Sequence, residues 1–379
     1  MPYITMMQSP SYHQITFEEI LSGNVNISGH MINRNESNTR THFSKVVPQK
    51  FLDRFDFRAM IDALISFNNQ YEDLFRVERA TLYDRFYIPK KSGGLREINA
   101  PVPELMTALR NLKTLLETKM FALYHTSAFG YVPQRCAVDA VKKHQANHSH
   151  WFLKIDFSNF FGNTTLEFVM ESLTQIFPFS EIVKYQDGRE TLEKAMSLCF
   201  LNGGLPQGTP ISPMLTNLMM IPIDHRIYNC LRKFNGNSYV YTRYADDILI
   251  SSLRDFDKDE IMRFIADTLA EFHAPFTFKQ EKTRYGSSAG SNWNLGVMLN
   301  KDNEITIGHR NKKRLRAMIS NYILDRKNGV RWELHDVQVL SGIINYYRMI
   351  EEEYVDKVVQ YNNQKYGVHL RALLKEDLS

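Results

Sequence analysis

Three aspartates stand where an acidic side chain is not expected. Asp246 and Asp247 are adjacent within the apolar, β-branched run from Tyr241 to Ser251, and Asp156 ends the apolar run WFLKID. Carboxylates that lie together repel one another and resist burial unless a cation joins them. Their hard oxygen ligands suit Mg²⁺, and two such ions about 4 Å apart can activate an attacking hydroxyl and stabilise a leaving pyrophosphate. A pair of aspartates in an ordinary turn is the alternative for Asp246 and Asp247.

The elements that must position these aspartates are strands. KIDFSNFF is typical of a buried strand that runs into a turn, and SYVYTRYADDILISS is typical of two strands joined by a tight turn. Strands that end in aspartate can meet in one antiparallel sheet. We therefore expect Asp156 to face Asp246 across the strand pair.

The rest of the chain predicts a mixed α+β fold. RFYIPKKSGGLREINAP predicts a β-hairpin whose second strand ends at Pro101, and FTFKQEKTRYG and NWNLGVMLN predict short strands. Apolar residues at helical spacing, such as Leu105, Leu109, Leu112 and Leu116, predict the helices. These helices cover residues 51–74, 102–125, 165–178 and 189–200, a long helix through about Leu231, 257–272, and several pieces from about Arg310 onward.

Length and composition exclude several classes of protein. The 379 residues can form a sizeable core in two or three subdomains, and 43% hydrophobic and 23% charged residues are ordinary for a soluble globular protein. Apolar runs stay below the roughly 18 to 20 residues of a membrane span, and no secretory signal pattern is expected at the N-terminus. Three scattered cysteines without a CxxC pair indicate a reducing cytoplasm and no structural zinc. The polar first 45 residues are expected to be loosely ordered or to pack only with a partner.

Two further clusters of side chains need separate interpretation. HQANHSH offers His144, His148 and His150 as zinc ligands, but a polar loop before the strand that ends at Asp156 is the favoured interpretation. HRNKKRLR indicates either a polyanion partner or a solvated helix face. Its five cations are Arg310, Lys312, Lys313, Arg314 and Arg316.

Three of these segments together resemble the signature motifs of reverse transcriptases. YADD between apolar strands, KIDFSNFF as the first catalytic strand and LPQGTPISPMLTNL between them stand in the family's order. The resemblance covers about residues 80–350. It implies a right-hand polymerase with a palm like that of group II intron enzymes, which carries out RNA-directed DNA synthesis. The implied domains are an N-terminal extension over 1–50, fingers with a β-hairpin over 51–150, a palm with interleaved fingers segments over 151–300, and a helical thumb with a C-terminal tail over 301–379.

The resemblance gives catalytic roles to the aspartates and to one lysine. Asp156, Asp246 and Asp247 would hold two Mg²⁺ ions, and Tyr244 would lie near the primer end. Lys282 in KQEKTRY resembles the family's lysine after the catalytic turn and would protonate the leaving pyrophosphate. A surface pair with the adjacent glutamate is the alternative for Lys282.

The same resemblance assigns residues to the incoming nucleotide. Phe161 occupies the position that packs against the sugar and collides with a 2′-hydroxyl, which favours deoxynucleotides; core packing is the alternative. Gln207 in LPQG would line the nucleotide pocket, and Gly208 would allow close approach of the backbone to base or sugar. Ordinary loop chemistry also explains glycine and proline in this segment.

Two cations of the predicted hairpin resemble those that fold over the triphosphate. Lys90, or its neighbour Lys91, would act as a point charge, and Arg96 would make multidentate phosphate contacts. A solvated hairpin tip is the alternative.

The C-terminal part resembles a thumb. Arg310, Lys313 and Arg314 fall at helical spacing on one face and would contact the duplex backbone without reading sequence. NLGV, ending at Val297, resembles the primer-grip turn. Tyr346 and Tyr347 either stack on nucleic acid or pack in the core, and we expect a core position for at least one of them.

The segments around the palm motifs indicate which class of reverse transcriptase the chain resembles. No RNase H, integrase, protease or His- and Cys-rich endonuclease segment is recognised, which favours the small bacterial enzymes. Retron enzymes have Asn-Ala-x-x-His before the catalytic strand and Val-Thr-Gly after the primer grip, but DAVKKH and ITIG stand here. These departures favour a related defence-associated enzyme, with a retron enzyme as the alternative.

The expected function is copying of a cognate, structured non-coding RNA into DNA from dNTPs, in the cytoplasm and in defence against phage. A retron enzyme would make single-stranded DNA linked to RNA. An effector protein or a second copy of the chain is a further expected partner. RNA synthesis or untemplated nucleotide addition on the same palm is the alternative activity, against which Phe161 argues. A relic RNA-binding palm is disfavoured because the catalytic residues are present, and a nucleotide cyclase because YADD is not a GG(D/E)EF-type turn.

Overall fold

The computed structural model describes residues 52–90, 93–120, 123–232, 238–287, 292–294 and 297–378. The predicted extension over 1–50, Lys91 and the middle of the predicted primer-grip turn lie outside the described residues. The strands are β1 (Tyr83–Pro89), β2 (Leu95–Pro101), β3 (Trp151–Asp156), β4 (Tyr239–Tyr244), β5 (Asp247–Ser252), β6 (Arg284–Ser287), β7 (Asn292–Asn294), β8 (Val297–Leu299) and β9 (Ile305–Thr306). The helices are α1 (Phe57–Gln70), α2 (Glu72–Arg76), α3 (Pro103–Thr118), α4 (Ala137–Ala146), α5 (Phe160–Asn163), α6 (Leu166–Leu173), α7 (Phe179–Ile182), α8 (Gln186–Ser197), α9 (Ser212–Met219), α10 (Ile221–Leu231), α11 (Lys258–Glu271), α12 (Gly308–Lys327), α13 (Leu334–Ile350), α14 (Glu352–Tyr366) and α15 (Leu370–Leu378).

The α+β fold class is confirmed, and the bounds of several predicted elements differ in detail. The predicted helix over 51–74 is divided into α1 and α2, and those over 102–125 and 165–178 end at Thr118 and Leu173. The long helix predicted through Leu231 is divided at Met220 into α9 and α10. Pro222 has no amide hydrogen and its ring crowds the preceding turn, which disfavours a continuous helix there. In FTFKQEKTRYG, a 3-10 turn covers Gln280–Lys282, and the strand begins only at Arg284 and ends at Ser287, one residue beyond this segment.

Contacts along the described chain divide it into two compact units. The first unit comprises the described residues of Met1–Thr126, Phe161–Asp224 and Phe272–Pro275. The second unit comprises those of Ser127–Phe160, His225–Glu271 and Phe276–Ser379.

The first unit contains the predicted hairpin and the leucine-rich helix α3. Strands β1 and β2 are antiparallel, from Tyr83 opposite Pro101 to Pro89 opposite Leu95. Helix α3 begins with proline, whose missing amide hydrogen costs nothing in the first turn. Its leucines at helical spacing are fully buried: Leu105, Leu109, Leu112 and Leu116.

A four-stranded sheet in the second unit positions the acidic residues. Its strand order is β4-β5-β3-β6, and all neighbours are antiparallel. Because side chains alternate along a strand, Lys154 and Asp156 share one face with Asp247, which lies opposite Asp156 on β5. The other face of the two central strands is apolar and fully buried, with Leu153, Ile155, Ile248 and Ile250.

Helices α12 to α15 form a second apolar cluster within the same unit. Leu315 of α12, Leu340 of α13 and Val355 of α14 are fully buried in it. The expected core position for one of two tyrosines is confirmed, since Tyr347 belongs to the cluster and Tyr346 packs partly buried against it. Within the described ranges, no helix is long and apolar enough to cross a membrane.

Candidate active site

The three aspartates lie together at the ends of β3 and β5. Asp156 pairs directly with Asp247 in the antiparallel ladder, so their side chains are neighbours on one face of the sheet. Asp246 lies in the turn before β5, where its carbonyl oxygen accepts a hydrogen bond from the Phe157 amide at 3.1 Å. The expectation that Asp156 faces Asp246 is wrong by one residue, because the β5 ladder begins at Asp247 and leaves Asp246 in the turn.

The turn between β4 and β5 consists of Ala245 and Asp246. Ala245 has a φ of 57°, a left-handed conformation that a side chain with a Cβ disfavours. The guanidinium of the fully buried Arg243 donates to the Ala245 carbonyl oxygen at 3.1 Å. Gly130 packs so closely that an added Cβ would lie 2.5 Å from the Ala245 nitrogen. The position of Asp246 is therefore set by a tightly packed backbone rather than by its own side chain.

Burial and like charge dominate the electrostatics of two of the aspartates. Burial raises the pKa of Asp246, and the negative charge of Asp156 raises it further. Burial also raises the pKa of Asp247, against the opposing effect of Lys154. A group whose pKa is raised in the folded state lowers the free energy of unfolding as the pH rises. Ionised Asp246 and Asp247 therefore destabilise the fold near neutral pH.

Three lysines supply positive charge to the cluster. Lys279 Nζ lies 2.5 Å from Asp156 Oδ1, and Lys282 Nζ lies 3.3 Å from Asp156 Oδ2. Lys154 Nζ lies 2.8 Å from Asp247 Oδ2. Burial alone would raise the pKa of Asp156, but Lys279 and Lys282 hold it below its ordinary value. The structure therefore places the predicted Lys282 at the carboxylates.

Two of these lysines, Lys154 and Lys279, are not among the residues predicted from the sequence. Lys154 stands two residues before Asp156 in KID, so the period of a strand already puts both side chains on one face. Lys279 stands three residues before Lys282 in KQEK, but no spacing rule connects it with a residue more than 120 positions earlier.

The donor chemistry of the cluster fits a divalent cation. Three carboxylates offer hard oxygen ligands. A bound cation reduces the repulsion between carboxylates most strongly where they are buried beside like charges. Among the residues that the structure describes, no three His, Cys, Asp or Glu side chains converge in a ready-made metal geometry. Ammonium groups contact Asp156 and Asp247 instead. Asp156, Asp246 and Asp247 are the residues that would hold an ion, after these lysines rearrange.

His144 belongs to a buried hydroxyl network rather than to a loop. It lies in helix α4 and is fully buried, so the expectation of a polar loop is wrong at this position. Its Nδ1 is 2.5 Å from Ser251 Oγ on β5, and its Nε2 is 2.8 Å from Thr242 Oγ1 on β4. The histidine thereby connects the two strands on either side of the turn that holds Asp246, with both ring nitrogens engaged.

The buried imidazole predicts a pH-dependent stability. Burial, with a smaller effect of Lys143, lowers the pKa of His144 from 6.5 to about 3. Between these values the unfolded chain binds a proton that the folded protein does not. The stabilising contribution is therefore complete above pH 6.5 and falls as the pH drops, by about 1.4 kcal/mol per pH unit.

We expect the free energy of unfolding of the wild type to fall more steeply between about pH 6.5 and pH 5 than that of His144→Gln. Glutamine retains a donor and an acceptor but does not titrate. Urea denaturation at a series of pH values measures both slopes. Equal slopes would show that His144 titrates alike in the folded and unfolded states.

The predicted nucleotide-binding residues belong to the first unit, where main-chain hydrogen bonds join their segments. The Gln207 carbonyl oxygen accepts from the Asn99 amide of β2 at 2.8 Å, and the Phe161 carbonyl oxygen accepts from the Leu205 amide at 2.9 Å. Gly208 has a φ of 118°, and an added Cβ there would lie 2.9 Å from the Asn99 carbonyl oxygen. The close approach at Gly208 is therefore to the hairpin strand, while an approach to base or sugar stays a prediction.

The side chains of these residues differ in exposure. Phe160 is buried, whereas Phe161 is only partly buried, so the core position of the phenylalanine pair is taken by Phe160. Lys90 and Arg96 are exposed on the hairpin. The Lys90 amide donates to the Gly94 carbonyl oxygen at 2.9 Å, close to the hairpin turn.

Helix α12 carries the predicted basic face, with one correction. Lys312 of the basic run forms an ion pair with Glu351 and lies 4.5 Å from the centroid of the Tyr354 ring. The positive charge of Lys312 is therefore paired with a glutamate of the same chain. The predicted nucleic-acid-binding cations of this helix are exposed: Arg310, Lys313 and Arg314.

Known proteins are similar in sequence to this chain over most of its length. Retron Ec83 reverse transcriptase of Escherichia coli is 26% identical over 319 residues, which cover 81% of this chain and 95% of that protein. Retron Mx65 reverse transcriptase of Myxococcus xanthus is 28% identical over 292 residues, which cover 75% of this chain and 65% of that protein. Among solved structures, apo telomerase from Candida tropicalis is 12% identical with a TM-score of 0.46, and the match covers 78% of this chain and 62% of that chain.

A family model described as reverse transcriptase (RNA-dependent DNA polymerase) matches residues 88–312. The match spans more than half of the 379 residues. It includes the three aspartates, Lys282 and every residue predicted to bind the nucleotide. Together with the mixed helices and antiparallel sheet, it confirms the predicted right-hand polymerase class. The chain belongs to the reverse transcriptase family, the RNA-directed DNA polymerases.

Proposed function

We propose that this reverse transcriptase copies one cognate, structured non-coding RNA into DNA, with two Mg²⁺ ions held by Asp156, Asp246 and Asp247. Reverse transcriptases use divalent metal ions. Bound at these carboxylates, such ions would activate the attacking hydroxyl and stabilise the leaving pyrophosphate. The observation that carries the proposal is the pairing of Asp156 with Asp247 at the ends of β3 and β5, with Asp246 in the adjoining turn. Mg²⁺ suits this set because all of its side-chain ligands are hard oxygen atoms.

Two other residues of the second unit serve the reacting groups in this proposal. Lys282 is 49% exposed and contacts Asp156 at 3.3 Å, so its ammonium group is free to turn toward a phosphate. It would protonate the leaving pyrophosphate. Tyr244 is partly buried at the end of β4, directly before the catalytic turn, and would lie beside the primer end.

The first unit supplies the proposed nucleotide-binding residues. Arg96 and Lys90 are exposed cations of the hairpin, and arginine can hold phosphate oxygens through paired N–H groups. Gln207 would line the pocket from the loop that is bonded to β2. Phe161, whose ring is partly exposed, would exclude a 2′-hydroxyl from the sugar position.

Phe161→Ala is expected to raise ribonucleotide incorporation relative to deoxynucleotide incorporation by about 10- to 200-fold, since a steric gate of this size is worth a few kcal/mol at most. Primer extension with each nucleotide pool measures the ratio. Phe160→Ala is the matched control, because Phe160 is buried; it should cost about 3–5 kcal/mol of stability and leave the ratio unchanged. An unchanged ratio in Phe161→Ala would remove the gate from the proposal.

We further propose the domain assignment of the family for this chain. The extension would cover 1–50, the fingers 51–150, the palm with fingers segments 151–300, and the thumb with the tail 301–379. The exposed Arg310, Lys313 and Arg314 of α12 would contact the phosphate backbone of the template–product duplex.

The biological role that we propose is defence against phage in the cytoplasm, with an effector protein or a second copy of the chain as partner. Similarity to two retron reverse transcriptases favours a product that remains linked to its RNA. The segments DAVKKH and ITIG, which depart from the retron elements, favour another defence-associated enzyme.

Sequencing of nucleic acid that co-purifies with the protein, from cells that carry its native locus, tests the proposal. The expected result is DNA complementary to one short RNA, absent from the Asp246→Asn variant. A single short product joined to RNA indicates the retron type, and repeats or long concatemers indicate another defence-associated type. RNA without DNA, from wild type and variant alike, contradicts the copying of a cognate RNA.

A further inference from the structure

Lys279 is attached to Asp156 at two points. Its amide donates to the Asp156 carbonyl oxygen at 2.8 Å, and its Nζ lies 2.5 Å from Asp156 Oδ1. The two segments pair as an antiparallel bridge, in which the Ser158 amide also donates to the Thr277 carbonyl oxygen at 2.8 Å. The backbone pairing therefore positions the Lys279 ammonium group beside the Asp156 carboxylate.

The backbone of Lys279 is also fixed on its C-terminal side. Its carbonyl oxygen accepts hydrogen bonds from the amides of Lys282 and Thr283, both at 3.1 Å, and from Thr283 Oγ1 at 3.1 Å. These bonds start the 3-10 turn over Gln280–Lys282. Lys279 thus has less freedom to leave Asp156 than a lysine on an open loop.

Burial distinguishes Lys279 from the second lysine on the same carboxylate. The Lys279 side chain is 24% exposed and that of Asp156 is 9% exposed, whereas Lys282 is 49% exposed at a longer distance. Water and salt screen a half-buried pair less than an exposed one. Lys279 is therefore the stronger counter-charge of Asp156 when no metal ion is bound.

We propose that Lys279 competes with the divalent ion for Asp156, so that ion binding displaces its ammonium group and Lys279 sets the ion concentration that the enzyme needs. The inference rests on the proposed metal site at the three aspartates. The oxygen that accepts the hydrogen bond from Nζ is one that an ion would coordinate, and two cations at one carboxylate repel each other. Removal of the lysine charge should therefore strengthen ion binding, whatever its effect on catalysis.

Titration of the full chain with Mn²⁺, followed by the electron paramagnetic resonance signal of the free ion, tests this competition without an activity measurement. Lys279→Gln is expected to bind Mn²⁺ about 3- to 10-fold more tightly than the wild type, the range of one partly buried ion pair. Lys279→Arg keeps the charge and should stay near the wild-type affinity. Lys282→Gln should give a smaller gain than Lys279→Gln.

Thermal unfolding gives a second readout. In EDTA, Lys279→Gln should unfold at a lower temperature than the wild type, because Asp156 then lies among like charges without its main partner. Added Mn²⁺ should raise the midpoint of Lys279→Gln by more than that of the wild type. Lys301→Gln, at an exposed lysine of the same unit, should match the wild type in both titration and unfolding.

The outcomes distinguish a failure of this inference from a failure of the proposed metal site on which it rests. If the wild type binds Mn²⁺, Asp246→Asn weakens that binding, and Lys279→Gln binds no more tightly than the wild type, the competition by Lys279 is overturned and the metal site stands. If Asp246→Asn binds Mn²⁺ as the wild type does, the proposed metal site itself is overturned, and the role of Lys279 with it.

Discussion

Asp246→Asn is expected to lower the rate of primer extension by at least about 10³-fold while leaving RNA affinity within about twofold of the wild type. The carboxamide removes one negative charge from the set that would hold the ions. The proposed phosphate contacts of α12 do not involve Asp246, so RNA binding should persist. Single-turnover primer extension and RNA binding at one fixed salt concentration measure the two effects.

The fold should tolerate this change, because Asp246 is held by a main-chain hydrogen bond. Its carbonyl oxygen accepts from the Phe157 amide, and asparagine keeps that bond. Burial and Asp156 raise the pKa of Asp246, so loss of the charge should leave the unfolding temperature in EDTA equal or higher. Asp267→Asn, at an exposed aspartate of α11, is the matched control and should extend primers at the wild-type rate. Full extension by Asp246→Asn would rule out the proposed mechanism.

Gly130→Ala is expected to slow primer extension by about 10- to 100-fold, because small displacements of catalytic groups are costly. The added Cβ would meet the Ala245 nitrogen at 2.5 Å and the Tyr244 carbonyl carbon at 3.0 Å. These are backbone atoms at the turn between β4 and β5, and they cannot rotate away as a side chain could. We expect the turn to shift, at a cost of about 1–3 kcal/mol in stability.

A second glycine in the same unit provides the control for Gly130. Gly286 lies on β6, and an added Cβ there would meet nothing within 4 Å. Gly286→Ala should therefore retain the wild-type extension rate and stability. Rates measured well below the unfolding temperature of each variant separate a displaced turn from a partly unfolded protein. A folded Gly130→Ala with the wild-type rate would show that the turn does not position Asp246 through this contact.

Features that depend on neighbours in the chain can be predicted from the amino-acid sequence. Helical spacing of four leucines predicts the buried face of α3, and the hairpin of β1 and β2 follows from two strand-like runs around a glycine turn. The candidate aspartates are predicted in the same way, since Asp156 ends one apolar run and the Asp246–Asp247 pair stands within another. These signals are local, because propensity and side-chain period act over a few residues.

Contacts between residues that are distant in the sequence follow from the tertiary structure. Register places Asp247, not Asp246, opposite Asp156, and a shift of one residue cannot be read from two strands considered separately. The contact of Lys279 with Asp156 depends on a bridge between distant segments. His144 is buried because helix α4 covers the sheet, although a polar segment such as HQANHSH favours a loop. In each case the contact is stabilised by pairing with, or burial against, a part of the chain that is distant in the sequence. Patterns of neighbouring residues do not predict such contacts.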